Sequence, residues 1–116
     1  MKPGTAVKKD SQPRITPAFF FLLLTLVDGE KHGYAMAQEV EERSDGSISL
    51  GPGSLYWSLS RLSETGLIEE TRAPEDRTRK GRRRYYRLSD SGRDVLEREA
   101  ETLSRVLTFA RDKRVI

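Results

Sequence analysis

A chain of 116 residues, 35% hydrophobic and 34% charged, has room for one domain with a lean core, and a lean core gains from burial against a second copy. The absence of cysteine excludes disulfides, zinc–thiolate sites and thiol chemistry, and fits a reducing cytoplasm; the single histidine, His32, excludes a histidine metal cluster. The net charge of +3 is concentrated: residues 72–87 carry eight Lys/Arg against two acids and residues 1–14 carry four against one, a footprint for a polyanion.

Residues 1–14, with Pro3, Gly4, Pro13 and three lysines, have the composition of a flexible basic arm. Such an arm is either a solvated tail or a segment that tracks a DNA backbone. Thr16 and Pro17 then signal a helix start, with a hydroxyl at the cap and proline at the first helical position. The stretch Ala18 to Val27 is apolar all round, so its helix must be covered on more than one side. The domain core covers one side and a partner chain the other, with Phe19, Phe20 and Leu23 at the contact. The nine residues from Phe19 to Val27 are too few to cross a bilayer, which takes about 20, and no cleavage site follows them. No membrane association is expected.

Asp28 to Lys31 reads as a turn. The second helix runs from His32 to Arg43, with Gly33, Met36 and Val40 inward and Glu39, Glu41 and Glu42 toward solvent. His32, at its start, suits a capping or surface role. Ser44 to Ser47 is turn chemistry, and Ile48 to Leu50 is a short strand or an extended lead-in. Gly51-Pro52-Gly53 opens the third helix. Leu55, Leu59 and Leu62 recur at i, i+4, i+7 and define its buried face. Ser54, Trp57, Ser60 and Arg61 lie on the other face.

Leu67 to Arg72 and Arg84 to Leu88 read as two strands of a hairpin, joined by a basic loop. In the second strand Tyr86 and Leu88 share one side, Tyr85 and Arg87 the other. Ser89 caps a fourth helix of about 20 residues, roughly 30 Å long, more than a small domain needs. Its Leu96, Ala100, Leu103, Leu107 and Ala110 recur at 4-3-4-3 spacing, the seam of a coiled-coil-like contact. Val95, Val106 and Phe109 widen the stripe. The dimer contacts expected on this helix are Leu96, Leu103, Val106, Leu107 and Ala110. Phe19, Phe20 and Phe109 are candidates for an aromatic effector pocket.

Three helices, a strand, a basic loop, a strand and a helix give the order of a winged helix-turn-helix. The expected fold is mainly α with a small β-hairpin. Its organisation is a basic arm over 1–14, a DNA-binding domain over 15–88 and a C-terminal dimerisation helix over 89–116. In this architecture the third helix enters the major groove and the hairpin reaches the neighbouring backbone. Ser54, Tyr56, Trp57, Ser60 and Arg61 are the candidate contacts on the helix. Arg77, Arg79, Lys80, Arg82, Arg83 and Arg84 supply charge for phosphates, which gives affinity and orientation more than sequence choice.

The chain resembles the PadR family of bacterial transcriptional regulators. The resemblance rests on His32-Gly33-Tyr34-Ala35-Met36, on Gly53-Ser54-Leu55-Tyr56 with Leu59-Ser60-Arg61-Leu62 and Gly66-Leu67-Ile68, and on Arg83-Arg84-Tyr85-Tyr86-Arg87-Leu88-Ser89 with Gly92. Ser54 stands where the family pattern usually has threonine, and Trp57 where it usually has proline. The resemblance implies a homodimeric repressor of the short-tailed branch, paired through its first and last helices. It further implies double-stranded DNA with a palindromic operator as partner, and an aromatic or drug-like small molecule that relieves repression. The alternative is a winged-helix protein-interaction module without specific DNA binding. An enzyme is not expected: the chain shows no nucleophile–base pair or carboxylate dyad, and Gly51-Pro52-Gly53 lacks the Lys-Ser/Thr pair of a phosphate loop. No cofactor or metal is implied.

Overall fold

The computed structural model describes residues 15–71 and 84–116. The basic arm and the segment 72–83, which holds Arg77, Arg79, Lys80, Arg82 and Arg83, lie outside the described residues.

Helix α1 (Pro17–Thr25) starts where its cap chemistry places it: Thr16 Oγ1 accepts the Phe19 N–H at 3.1 Å. It stops short of the apolar run, with Leu26 at the C-cap. Lys31 Nζ secures the exit by donating to Thr25 O and to Asp28 Oδ1, both at 2.7 Å. That hydrogen bond, reinforced by the Lys31 charge, holds the Asp28 carboxyl below its ordinary value.

Lys31, expected in a turn, opens strand β1 (Lys31–His32), which runs straight into α2 (Gly33–Arg43). His32 is the N-cap of α2. Its Nδ1 accepts the Ala35 N–H at 3.2 Å. Residues 48–50 form an extended lead-in rather than a strand, held by Ser44 Oγ, which accepts the Ile48 N–H at 3.0 Å. Helix α3 (Pro52–Glu64) follows and ends at Thr65. Gly66, at φ +80°, turns the chain into β2 (Ile68–Thr71).

Strand β3 (Tyr85–Leu88) lies between the other two, so the sheet has three antiparallel strands in the order β1-β3-β2. The hairpin expected from the sequence is present, and β1 adds a third strand to it through the pairs Lys31–Tyr86 and His32–Tyr85. In β3 the expected alternation holds: Tyr86 is buried and Arg87 exposed. The arrangement is a winged helix-turn-helix.

Leu22 and Leu23 of α1, Met36 and Val40 of α2, Leu59 and Leu62 of α3, and Ile68 of β2 form the fully buried centre. Helix α4 (Asp90–Asp112) begins at Ser89, whose Oγ accepts the Gly92 N–H at 3.0 Å. At 1.5 Å per residue it is about 35 Å long. Only Gly92, Val95 and Leu96 are buried in it, and residues 100–109 are all exposed. The first two turns of α4 therefore belong to the domain, and the remainder lies open.

Candidate nucleic-acid interface

Helix α3 divides its faces as its periodicity requires. Leu55, Ser58, Leu59 and Leu62 are buried, while Ser54, Tyr56, Trp57, Ser60 and Arg61 are exposed. The residues expected on one outward face are thus brought together there. The N-terminus of α3 is bare. Gly51 is the N-cap and has no side chain to accept the first-turn N–H groups, which favours an anion in their place. A Cβ at Gly51 or Gly53 would meet nothing within 4 Å, so packing inside the chain does not demand glycine at either position. Their smallness leaves the backbone open to close approach from outside.

Trp57 is 61% exposed, yet it is not loose. Its ring sits 6.1 Å from that of Phe19, tilted by 30°, and the Arg61 guanidinium carbon lies 5.9 Å from its centroid. Arg61 Nη1 is also 3.9 Å from Glu64 Oε1.

The sheet flanks this helix with cations paired across the strands. Arg87 Nε donates to Glu69 Oε1 at 2.9 Å, directly opposite in the register, and Arg84 Nε lies 3.5 Å from Glu70 Oε2. Both pairs are exposed. Exposed pairs contribute less than about 1 kcal/mol, so phosphate can replace the carboxylate at little cost.

A groove of about 770 Å³ separates α2, α3 and β3. Leu50, Leu55 and Leu59 line it beside Glu41 and Arg84, and Tyr34 and Tyr56 stand along it, 66% and 59% exposed. Gly33 allows this closeness: its α-carbon faces Leu59, whose Cδ1 would lie 3.1 Å from an added Cβ. Tyr34 stands in the family-like motif of the sequence but not among its candidate DNA contacts. The signal was available, because Tyr34 falls off the Gly33–Met36–Val40 face and a large aromatic there must point outward. Tyr86 also lines the groove but is 4% exposed. Burial, and then the nearby Glu70 charge, push its phenol above the ordinary 10.0, with Arg84 opposing.

The residues expected at the dimer contact separate into two groups. Phe19, Leu23 and Leu96 are buried within this chain, and Phe20 packs partly against the same core. Leu103, Val106 and Leu107 are exposed along the open part of α4, at 38%, 52% and 47%, with Ala110 half-buried after them. Of the aromatic residues expected to meet an effector, Phe109 is exposed; none of Phe19, Phe20 and Phe109 lines the groove between α2, α3 and β3. Among the described residues no cluster of three His, Cys, Asp or Glu could hold a metal, and no helix is long and apolar enough to cross a membrane.

The model of the Transcriptional regulator PadR-like family matches residues 22–98. An uncharacterized 37.1 kDa protein in transposon TN4556 of Streptomyces fradiae is 41% identical over 93 residues, covering 80% of this chain and 25% of that protein. Protein X of Lysinibacillus sphaericus, also uncharacterized, is 28% identical over 75 residues, covering 65% of this chain and 67% of that one. The chain thus spans a quarter of the length of the first relative. A PadR family transcription regulator from Clostridium difficile R20291 superposes with a TM-score of 0.66 at 27% identity, covering 81% of this chain and 96% of that chain. Bacillus subtilis PadR, solved in complex with operator DNA, has a TM-score of 0.62 at 24% identity, covering 75% of this chain and 47% of that chain.

Proposed function

The chain belongs to the PadR-like family of transcriptional regulators, and on that premise we propose that it is a homodimeric, sequence-specific DNA-binding repressor of the cytoplasm, released by a small-molecule effector. The observation that carries this reading is the outward face of α3, where Ser54, Tyr56, Trp57, Ser60 and Arg61 are exposed together beside an uncapped helix N-terminus. That face suits a major groove. The bare N–H groups and the Ser54 hydroxyl favour a phosphate at one end. Arg61, near the other end, can reach a phosphate or the O6/N7 edge of a guanine. Arg84, with the sequence neighbours Arg77, Arg79, Lys80, Arg82 and Arg83, supplies further phosphate charge. Operator binding by the related Bacillus subtilis PadR is consistent with this assignment.

Two copies pair through the open part of α4. Leu103, Val106 and Leu107 present an apolar stripe that water would otherwise cover, and burying it supplies the driving force. Two-fold symmetry then sets the two α3 helices about 34 Å apart, one turn of DNA. The effector, an aromatic or drug-like molecule, is assigned to the aromatic residues of α1 and α4, with Phe20 and Phe109 as its first contacts.

A gel-shift assay with duplex DNA from upstream of the protein's own gene tests the reading. A retarded complex that weakens steeply with salt is expected, because phosphate contacts release counterions. Absence of a salt-sensitive complex with any duplex would overturn it and favour a protein-interaction module instead.

A further inference from the structure

Trp57 is the only tryptophan in the chain and stands at the middle of the outward face of α3. A side chain so large and so exposed offers its ring to contacts on this surface. Its ring already has two. Below it is Phe19, 5% exposed and fixed in the core of the domain, with ring centroids 6.1 Å apart. The second contact is Arg61, one helical turn further along α3, with its guanidinium carbon 5.9 Å from the ring centroid. Phe19, Trp57 and Arg61 therefore form a column that rises from the core to the surface that would meet DNA.

The column bears on how Arg61 can act. A guanidinium resting on an aromatic face engages its π face and leaves the N–H edges free. A carboxylate partner does the opposite and occupies donors. Glu64 competes for Arg61 in that way, but at 3.9 Å with both side chains exposed it holds the guanidinium weakly. An unsupported arginine on a helix surface must lose its rotamer freedom when it binds. One already in contact with an indole loses less.

We propose that Trp57 is a positioning residue: anchored on Phe19, it holds Arg61 in place on the outward face of α3, so that the contribution of Arg61 to DNA binding depends on Trp57. The role rests on the DNA-binding reading given above. It differs from that reading in assigning Trp57 to Arg61 rather than to the DNA.

The test is a double-mutant cycle. Binding of the full chain to a fluorescein-labelled duplex from upstream of its gene is measured for wild type, Trp57→Ala, Arg61→Ala and the double variant, with Trp57→Phe as the conservative change. Trp57→Ala should weaken binding about three- to tenfold, the range of one cation–π contact together with one newly mobile side chain. Trp57→Phe should restore most of the loss, because a ring face remains. In the Arg61→Ala background, removing Trp57 should cost less than about twofold, since coupled residues are not additive. Equal losses in both backgrounds would overturn the proposal and make Trp57 a DNA contact in its own right.

A second readout needs neither DNA nor loss of the tryptophan. Trp57 emission in the free protein should shift in Arg61→Ala, and an unchanged spectrum would dissolve the column. If the emission shifts but the wild type binds no duplex, the DNA reading falls and takes the purpose of the column with it. If the wild type binds and the losses add, only the positioning role falls.

Discussion

Gly92, in the first turn of α4, packs its α-carbon directly on the carbonyl of Leu67, at the start of the sheet. A Cβ built on Gly92 would overlap the Leu67 carbonyl oxygen and come within 2.9 Å of Leu88 Cδ1. The obstacle is backbone, which cannot turn aside as a side chain can. Gly92→Ala should therefore lift α4 from the sheet and cost about 3 kcal/mol, the upper part of the range for overpacking. Gly33→Ala provides the contrast: its new methyl would meet side chains rather than backbone, Leu59 Cδ1 at 3.1 Å and Leu55 Cδ2 at 3.7 Å, which need give only a few tenths of an ångström. A cost of about 1 kcal/mol or less is expected there. Urea denaturation of the two variants checks the difference.

Ser89 carries more than a cap. Its Oγ accepts the Gly92 N–H at 3.0 Å and donates to Gly66 O at 2.6 Å, so one hydroxyl ties α4 to the turn that leads out of α3. Ser89→Ala should destabilise the fold by about 1–2 kcal/mol. Ser89→Asp should recover the cap but not the bond to Gly66, because a carboxylate cannot donate. Thermal melts should rank wild type above Ser89→Asp and Ser89→Ala lowest.

Leu103 and Leu107 contribute nothing to the core of the single chain, being 38% and 47% exposed. Under the proposed dimer they become central. Leu103→Glu with Leu107→Glu should leave the helical circular dichroism signal in place while sedimentation gives a mass near 13.2 kDa instead of twice that value. A wild-type protein already at the single-chain mass would contradict the dimer.

Tyr86 makes stability sensitive to alkali. Burial, and then Glu70, raise its phenol above the ordinary 10.0, so the folded chain retains this proton where the unfolded chain loses it. The contribution is full below pH 10 and is lost as pH rises through the higher folded value. Tyr86→Phe should flatten the decline in melting temperature above pH 10, relative to wild type.

The sequence carried the fold through local signals. Thr16-Pro17, Gly66 and Ser89 each mark a helix boundary by their own chemistry, and the Leu55–Leu59–Leu62 spacing oriented α3 correctly. Strand β1 was not legible, because two residues have no periodicity and Lys31–His32 becomes a strand only through β3, more than 50 positions away. The capping role expected of His32 is present, made through a ring nitrogen where a hydroxyl or carboxylate is the usual group. The apolar stripe of α4 was evident, but not where it changes partner. Leu96 is buried in its own domain and Leu103 is exposed, although they occupy equivalent positions one heptad apart. On α3 the outward residues were legible as a set. The link from Trp57 to Phe19 was not, since it joins residues 38 positions apart on two different helices.

In the proposed dimer, two copies of α3 set one DNA turn apart read a symmetric site. In vitro selection from a random duplex library by the purified full chain tests this most directly. Enrichment of a palindrome whose half-sites are centred about 10 base pairs apart is expected, with selection lost for Arg61→Ala. Recovery of sequences with no shared half-site, or equal enrichment by Arg61→Ala, would contradict it.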